Sequence, residues 1–339
     1  MNINLLNDEE LSALRQLIDG AEHIVICSHK SPDGDAVGSS LGWADYLRLL
    51  GKEPVICVPD MYPDFLQWLP GAQQIVRHDK HPETVSDLFA KADLLFCLDF
   101  SQYARTERMV DCFHLTHAKI AVVDHHPNPD IKTDFMVSRP QMSSTSELVF
   151  RLIWQLGGFE AMTKKAAVPI YCGMMTDTGG FTYNSSNPEI FFIISQLLTK
   201  GFDKDRVYRN VYNNFSEQRL RLTGFMLYKK LRVYRDKHAS YFCLTRSDLK
   251  RFNYIKGDAE GMVNMPLQMK GMKLSISLRE DTEQDHLIWV SLRSVDNFNC
   301  TTFAQRWFNG GGHFNASGGR LYCSVEEAEK IVQEAIDSI

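Results

Sequence analysis

Residues 118–128 read AKIAVVDHHPN, an apolar, β-branched run that stops abruptly at an aspartate, two histidines and a proline. A short hydrophobic run bounded by a turn signal predicts a buried strand. Three other segments repeat the design. HIVICSHKSPDGDA (23–36) leads from a strand into His29, Asp33 and Asp35, and ADLLFCLDF (92–100) ends at Asp99. KKAAVPIYCGMMTDTGGF (164–181) reads as a helix that empties at Asp177 into a Gly-rich loop. Between them, DAVGSSLGWADYLRLLG (35–51) has helical periodicity, PVICVP (54–59) is a further strand, and SSTSELVFRLIWQLGG (143–158) is a helix capped near Ser143 or Ser144. Strands alternating with helices predict a parallel α/β sheet.

The texture changes further along. Residues 191–225 are helical and increasingly charged, and predict a connector. Beyond them HASYFCLTRSDL, MKLSISLRED and HLIWVSLRS alternate as closely spaced strands before an acidic terminal helix. The expected organisation is therefore an N-terminal parallel-sheet domain over 1–190, a helical connector over 191–225 and a smaller α+β domain over 226–339. Eight cysteines occur without a C-x-x-C pair, no apolar run is long enough to span a bilayer, and the start lacks an export pattern. Reduced core cysteines and a cytoplasmic location are expected.

The formal net charge is −5, yet residues 203–237 hold ten Lys/Arg against four Asp/Glu, a local balance of +6. That distribution suits a small anionic ligand better than a long nucleic-acid groove, and no long nucleic-acid track is expected.

Asp33, Asp35, Asp99, Asp124 and Asp177 with His29, His125 and His126 all fall at strand or helix ends. In an open parallel sheet such positions converge beyond the carboxyl ends of the strands. Each piece alone has a plainer reading, as a turn, a cap or a surface histidine. Together, carboxylates that converge need a counter-charge, because they would otherwise raise one another's pKa. Carboxylate and imidazole donors without thiolate select Mn²⁺, Mg²⁺ or Fe²⁺ over structural zinc.

HKSPDGDA, LDF, VVDHH and GMMTDTGGF resemble, in order and spacing, the four signature motifs of the DHH phosphoesterases. That group includes RecJ-like exonucleases, family II pyrophosphatases, cyclic-dinucleotide phosphodiesterases and nanoRNases. FNGGGHFNASGG (308–319) is similar to the GGGH signature of the DHHA1 domain, and SLRS (291–294) falls where that domain carries an arginine. The resemblance implies an active site in the cleft between the two domains. It also implies two divalent cations, Mn²⁺ first. His29, Asp33, Asp99 and Asp177 would hold one, and Asp35, Asp99, His125 and Asp177 the other. Asp124 would orient an imidazole, and His126 would meet the phosphate. The paired ions would hold a shared water as hydroxide in line with a phosphodiester. Gly310, Gly311, Gly312 and His313 would bind phosphate, with Arg293 as a clamp. The plainer reading of that glycine run is a flexible turn. Phe298, Trp307 and Phe314 stand near enough in sequence to stack a base, though core packing explains them too. Ser144, beside Ser143 and Thr145, is a phosphate contact or simply a helix cap, and Arg105 is a further phosphate candidate.

The extra domains of RecJ-type exonucleases and the membrane segments of cyclic-dinucleotide phosphodiesterases are not expected within these 339 residues, and the GGGH run departs from family II pyrophosphatases. The resemblance therefore implies the nanoRNase/pAp phosphatase type. Its substrates would be short oligoribonucleotides, linear dinucleotides such as pGpG and pApA, or 3′-phosphoadenosine 5′-phosphate, and a homodimer is compatible with it. A cyclic-dinucleotide phosphodiesterase or exopolyphosphatase-like hydrolase is the enzymatic alternative, and a nucleotide-binding sensor the non-enzymatic one. An HD-type hydrolase is excluded because its fold is all-helical.

Overall fold

The structure, a computed structural model, describes residues 2–255 and 257–339. The chain forms two compact units, Met1–Asn214 and Phe215–Ile339. The stretch read as a connector carries the helices Pro188–Leu198 and Lys204–Tyr212, which belong to the first unit, and Glu217–Phe225, which belongs to the second.

The first unit is built on six parallel strands: β1 (Ile24–Cys27), β2 (Val55–Val58), β3 (Val76–Arg77), β4 (Leu94–Leu98), β5 (Lys119–Asp124) and β6 (Phe135–Ser138). Their order across the sheet is β3-β2-β1-β4-β5-β6. Alternate residues serve opposite faces. Ile24, Ile26, Leu94, Phe96 and Leu98 enter one apolar layer, while Val25, Cys27, Leu95 and Cys97 enter another. A sheet covered on both faces explains why its strands read as continuous apolar runs. The register sets Cys57, Cys27 and Cys97 side by side on three strands. Among the described residues the cysteines are unpaired, and all but Cys323 are buried.

The strand order reverses between β1 and β4. At such a switch point the connections diverge to opposite sides and leave a crevice beyond the strands' carboxyl ends. His29 follows β1 and Asp99 follows β4, so both flank that crevice.

Two helices complete its walls. Gly34–Leu49 is capped by Asp33, whose carboxylate accepts from the amides of Asp35 (2.9 Å) and Ala36 (3.1 Å). Lys164–Asp177 packs along it at very short range. A Cβ on Gly38 would come within 2.4 Å of the Pro169 carbonyl oxygen, one on Gly34 within 2.2 Å of Thr176 Oγ1, and one on Gly42 within 2.4 Å of Ile170. This i, i+4 glycine row lets the backbones approach, and so sets Asp35 at the start of one helix near Asp177 at the end of the other.

The second unit carries β7 (Arg232–Tyr234), β8 (Ala239–Leu244), β9 (Leu274–Glu280), β10 (Leu287–Ser294), β11 (Gly311–His313) and β12 (Ala316–Tyr322), ordered β11-β12-β10-β9-β8-β7. Among the described residues of this unit only the β8–β9 pairing is parallel. The terminal helix Val325–Asp337 buries Ala328, Val332, Ala335 and Ile336 in the same core as Ile276, Leu278 and Val290. The plainer reading of the glycine run, a flexible turn, does not hold for Gly311 and Gly312, which with His313 form strand β11, paired with β12. No helix among the described residues is long and apolar enough to cross a membrane.

Candidate metal centre

In the first unit the ligand atoms of His29, Asp33 and Asp99 lie within 4.8 Å of one another, as do those of Asp35, His125 and Asp177. Each imidazole is held by its outer nitrogen. His29 Nδ1 lies 2.7 Å from the Lys30 carbonyl oxygen, and His125 Nδ1 lies 3.2 Å from that of Met142. A carbonyl only accepts, so Nδ1 carries the proton in both rings and Nε2 turns inward.

What Nε2 meets there is acidic. His29 Nε2 stands 3.2 Å from Asp99 Oδ2 and 4.0 Å from Asp33 Oδ1. His125 Nε2 stands 3.5 Å from Asp177 Oδ2, 3.6 Å from Asp99 Oδ1 and 3.9 Å from Asp35 Oδ2. Contacts of 3.5 Å and beyond are too long for good hydrogen bonds. Those of His125 Nε2 to Asp177 and Asp99 match the roughly 3–3.6 Å between two ligands that share one ion at about 2.1 Å, and the contacts at 3.9 and 4.0 Å are somewhat wider.

The electrostatics say the same. Burial pushes Asp35 well above the ordinary carboxylate range, and the charges of Asp99, Asp177 and Asp33 push it further. Asp99 goes the other way. Burial alone would raise it, but His29, His126 and His125 hold it well below that range. Burial and Arg105 both lower His29, yet Asp99 and Asp33 outweigh them and leave it raised. Burial likewise lowers His125, and Asp177 and Asp99 reverse the direction. Desolvated carboxylates and inward-facing nitrogen donors fit divalent cations, which supply the missing positive charge.

Asp124 and His126 form a separate pair beside this group. Asp124 Oδ1 accepts from His126 Nδ1 at 2.7 Å and from the His126 amide at 3.1 Å. The imidazole that Asp124 orients is thus His126, a point the sequence left open. Burial, helped by Arg105, leaves the pKa of His126 below its ordinary value despite Asp124 and Asp99. Arg105 lies in the 3₁₀ segment Tyr103–His114, and its carbonyl accepts from the Lys30 amide at 2.7 Å. Asp99 itself sits at φ 66°, a left-handed conformation that is uncommon outside glycine and concentrates at functional sites.

The other expected contacts divide. Ser144 is the fully buried N-cap of Thr145–Gln155, and its hydroxyl accepts from the Glu147 amide at 3.0 Å. Its neighbour makes the contacts that the sequence did not suggest: Thr145 donates its amide to Asp35 at 2.6 Å and its hydroxyl to Asp99 at 2.9 Å. In the second unit, His313 and Arg293 pair with Ala316 from opposite sides of β12. Directly opposed residues share a sheet face, so one face presents both basic side chains. Gly310 and Gly312 press on β12, where added Cβ atoms would come within 1.9 Å of the Gly318 carbonyl and 2.7 Å of that of Ala316. Gly311 has open space at that position. Phe298 and Trp307 pack on the core, and Phe314 is exposed.

Comparison with known proteins agrees with this architecture. Residues 23–174 match the DHH family, N-terminal domain, and residues 238–339 match the DHHA1 domain. A bifunctional oligoribonuclease and PAP phosphatase, NrnA, of Bacillus subtilis is 26% identical over 92% of this chain and 93% of its own. An exopolyphosphatase-related protein from Bacteroides fragilis of known crystal structure has a TM-score of 0.94 and 47% identity, covering 98% of this chain and 96% of that one. RecJ from Thermus thermophilus, in complex with Mn²⁺, shares the fold at a TM-score of 0.57 and 12% identity over 99% of this chain and 55% of that one. The molecule is a phosphoric ester hydrolase of two α/β domains. It belongs to the DHH family, and its second unit carries the DHHA1 domain.

Proposed function

We propose that the chain hydrolyses short oligoribonucleotides, linear dinucleotides such as pGpG and pApA, and 3′-phosphoadenosine 5′-phosphate. The observation that carries this reading is the convergence of Asp177, Asp99 and Asp35 on His125 Nε2 at 3.5–3.9 Å. The name of the B. subtilis relative, similar along nearly all of both chains, supports the substrate class.

In this reading His29, Asp33, Asp99 and Asp177 hold one cation, and Asp35, Asp99, His125 and Asp177 the other, with Mn²⁺ preferred and Mg²⁺ or Fe²⁺ as substitutes. When bound, the pair of ions supplies a water of lowered pKa and neutralises charge on the phosphoryl group. The chain's own residues do the rest. Asp124 fixes the His126 ring so that Nε2 is presented to substrate. An arriving phosphoryl group adds negative charge and favours the imidazolium, with Nδ1–H on Asp124 and Nε2–H on a phosphoryl oxygen. His126 then hands that proton towards the leaving oxygen. Arg105 adds a second positive charge. In the DHHA1 domain Arg293, His313 and the Gly311 main chain bind the far phosphate, which gives length selectivity. No covalent nucleophile is required.

A second reading, polyphosphate hydrolysis, is favoured by the description of the B. fragilis protein as exopolyphosphatase-related. One assay separates them. The purified protein with Mn²⁺ is given 3′-phosphoadenosine 5′-phosphate, pGpG, pApA, a five-nucleotide RNA, a long single strand, a cyclic dinucleotide and polyphosphate, with Asp99→Ala beside it. The expected result is turnover of the short nucleotides, lost with EDTA and in the variant. Polyphosphate turnover alone selects the second reading, cyclic-dinucleotide turnover alone selects a phosphodiesterase, and no turnover selects a sensor. Full activity in Asp99→Ala would sink the metal-centre assignment.

A further inference from the structure

We infer that the segment Met142–Ser146 is a positioning device for the metal ligands, and that the Thr145 hydroxyl within it sets divalent-cation affinity. The inference rests on the ligand set proposed above. Three of its five residues make four hydrogen bonds to three of those ligands. The Met142 carbonyl accepts from His125 Nδ1 at 3.2 Å. The Thr145 and Ser146 amides donate to the two oxygens of Asp35, at 2.6 and 2.7 Å. The Thr145 hydroxyl donates to Asp99 Oδ1 at 2.9 Å.

The segment is itself anchored from behind. Glu147 Oε2 accepts from the amide and the hydroxyl of Ser143, at 2.9 and 2.6 Å. Its other oxygen, Oε1, accepts from Arg151 Nε at 2.9 Å and Nη2 at 2.6 Å. Arg151 also donates to Glu189 at 2.6 Å and to the Ile3 carbonyl at 3.3 Å. Glu147 and Arg151 are 1% and 2% exposed, so this is a buried network with one end on the ligands. The Glu147 carboxylate has partners on both oxygens, which holds the segment, while the buried Ser146 hydroxyl within it has no hydrogen-bond partner among the described residues. The segment decides which lone pairs of Asp35 and Asp99 face inward and leaves His125 only one nitrogen to offer. Hydrogen bonds to ligand carboxylates and imidazoles commonly govern metal affinity in this way. Thr145 is a positioning residue, since it acts through Asp99 and Asp35.

The test uses Thr145→Val, which keeps the shape and loses the hydroxyl, and Thr145→Ser, which restores it. Mn²⁺ is titrated calorimetrically into each metal-free, full-length protein, and the melting temperature of the metal-free form is recorded. The valine variant is expected to bind Mn²⁺ about 10- to 100-fold more weakly, with serine returning it close to the parent and an unchanged metal-free melting temperature. A valine variant that binds as well as the parent overturns the inference. So does a loss that serine fails to recover and that tracks a lower melting temperature, because that is a folding defect. A parent that binds no Mn²⁺ overturns the ligand set itself, and Asp99→Ala reports on that set separately.

Discussion

Gly34, Gly38 and Gly42 lie inside a helix and face another helix, whereas Gly310, Gly312 and Gly319 lie in a hairpin and face neighbouring backbone. Both sets exist for close approach, but they spend it differently. Glycine inside a helix costs about 1 kcal/mol relative to alanine, so Gly38 and Gly42, in line with Gly34 at the helix start, need a packing return. The return is the pairing of Gly34–Leu49 with Lys164–Asp177, which brings two proposed ligands together from elements far apart in sequence. In the hairpin, glycine at 310 and 312 lets β11 lie flat on β12, and that pairing sets His313 on the same face as Arg293. A glycine-rich motif therefore says that something comes close. It does not say whether that something is ligand or protein.

Gly38→Ala is the strongest way to break the comparison. Its Cβ would meet the Pro169 carbonyl at 2.4 Å and Gly173 backbone at 3.0 Å, and backbone in a helix pair has little room to move. A loss of about 1–3 kcal/mol is expected in urea unfolding, with weaker Mn²⁺ binding because Asp35 and Asp177 move apart. Unchanged Mn²⁺ affinity would mean that the helix approach does not govern the site. Gly310→Ala comes next. With Gly318 O at 1.9 Å the hairpin must open, so KM for short nucleotides rises while calorimetric Mn²⁺ affinity stays at the parent value. Gly311→Ala has the smallest effect. The added Cβ meets open space, so stability holds within about 0.5 kcal/mol, and a raised KM reports a substrate contact by that backbone.

Much of the site was legible because strand ends and helix caps are local events. The apolar runs of β1, β4 and β5 stop where His29, Asp99 and Asp124 begin, and Ser144 caps the helix that its sequence announces. Less of it was legible where partners are remote. Thr145 sits 46 residues from Asp99 and 110 from Asp35, and the Met142 carbonyl leaves no trace in residue identity. Strand β11 was missed because the two glycines that open it, Gly311 and Gly312, carry no strand propensity of their own. The i, i+4 spacing of Gly34, Gly38 and Gly42 was the one unread signal available in the sequence.

The sequence by itself determined the donor types and the places where they leave their strands, because binary patterning and capping act over a few residues. It also carried enough motif to define the family. Only the tertiary structure decided which imidazole Asp124 orients, which nitrogen of His125 faces the carboxylates, and why Thr145 rather than Ser144 touches them. Those are choices between atoms that are equivalent in a sequence. They become distinct once the β1/β4 crevice and the glycine-packed helix pair hold them at fixed distances.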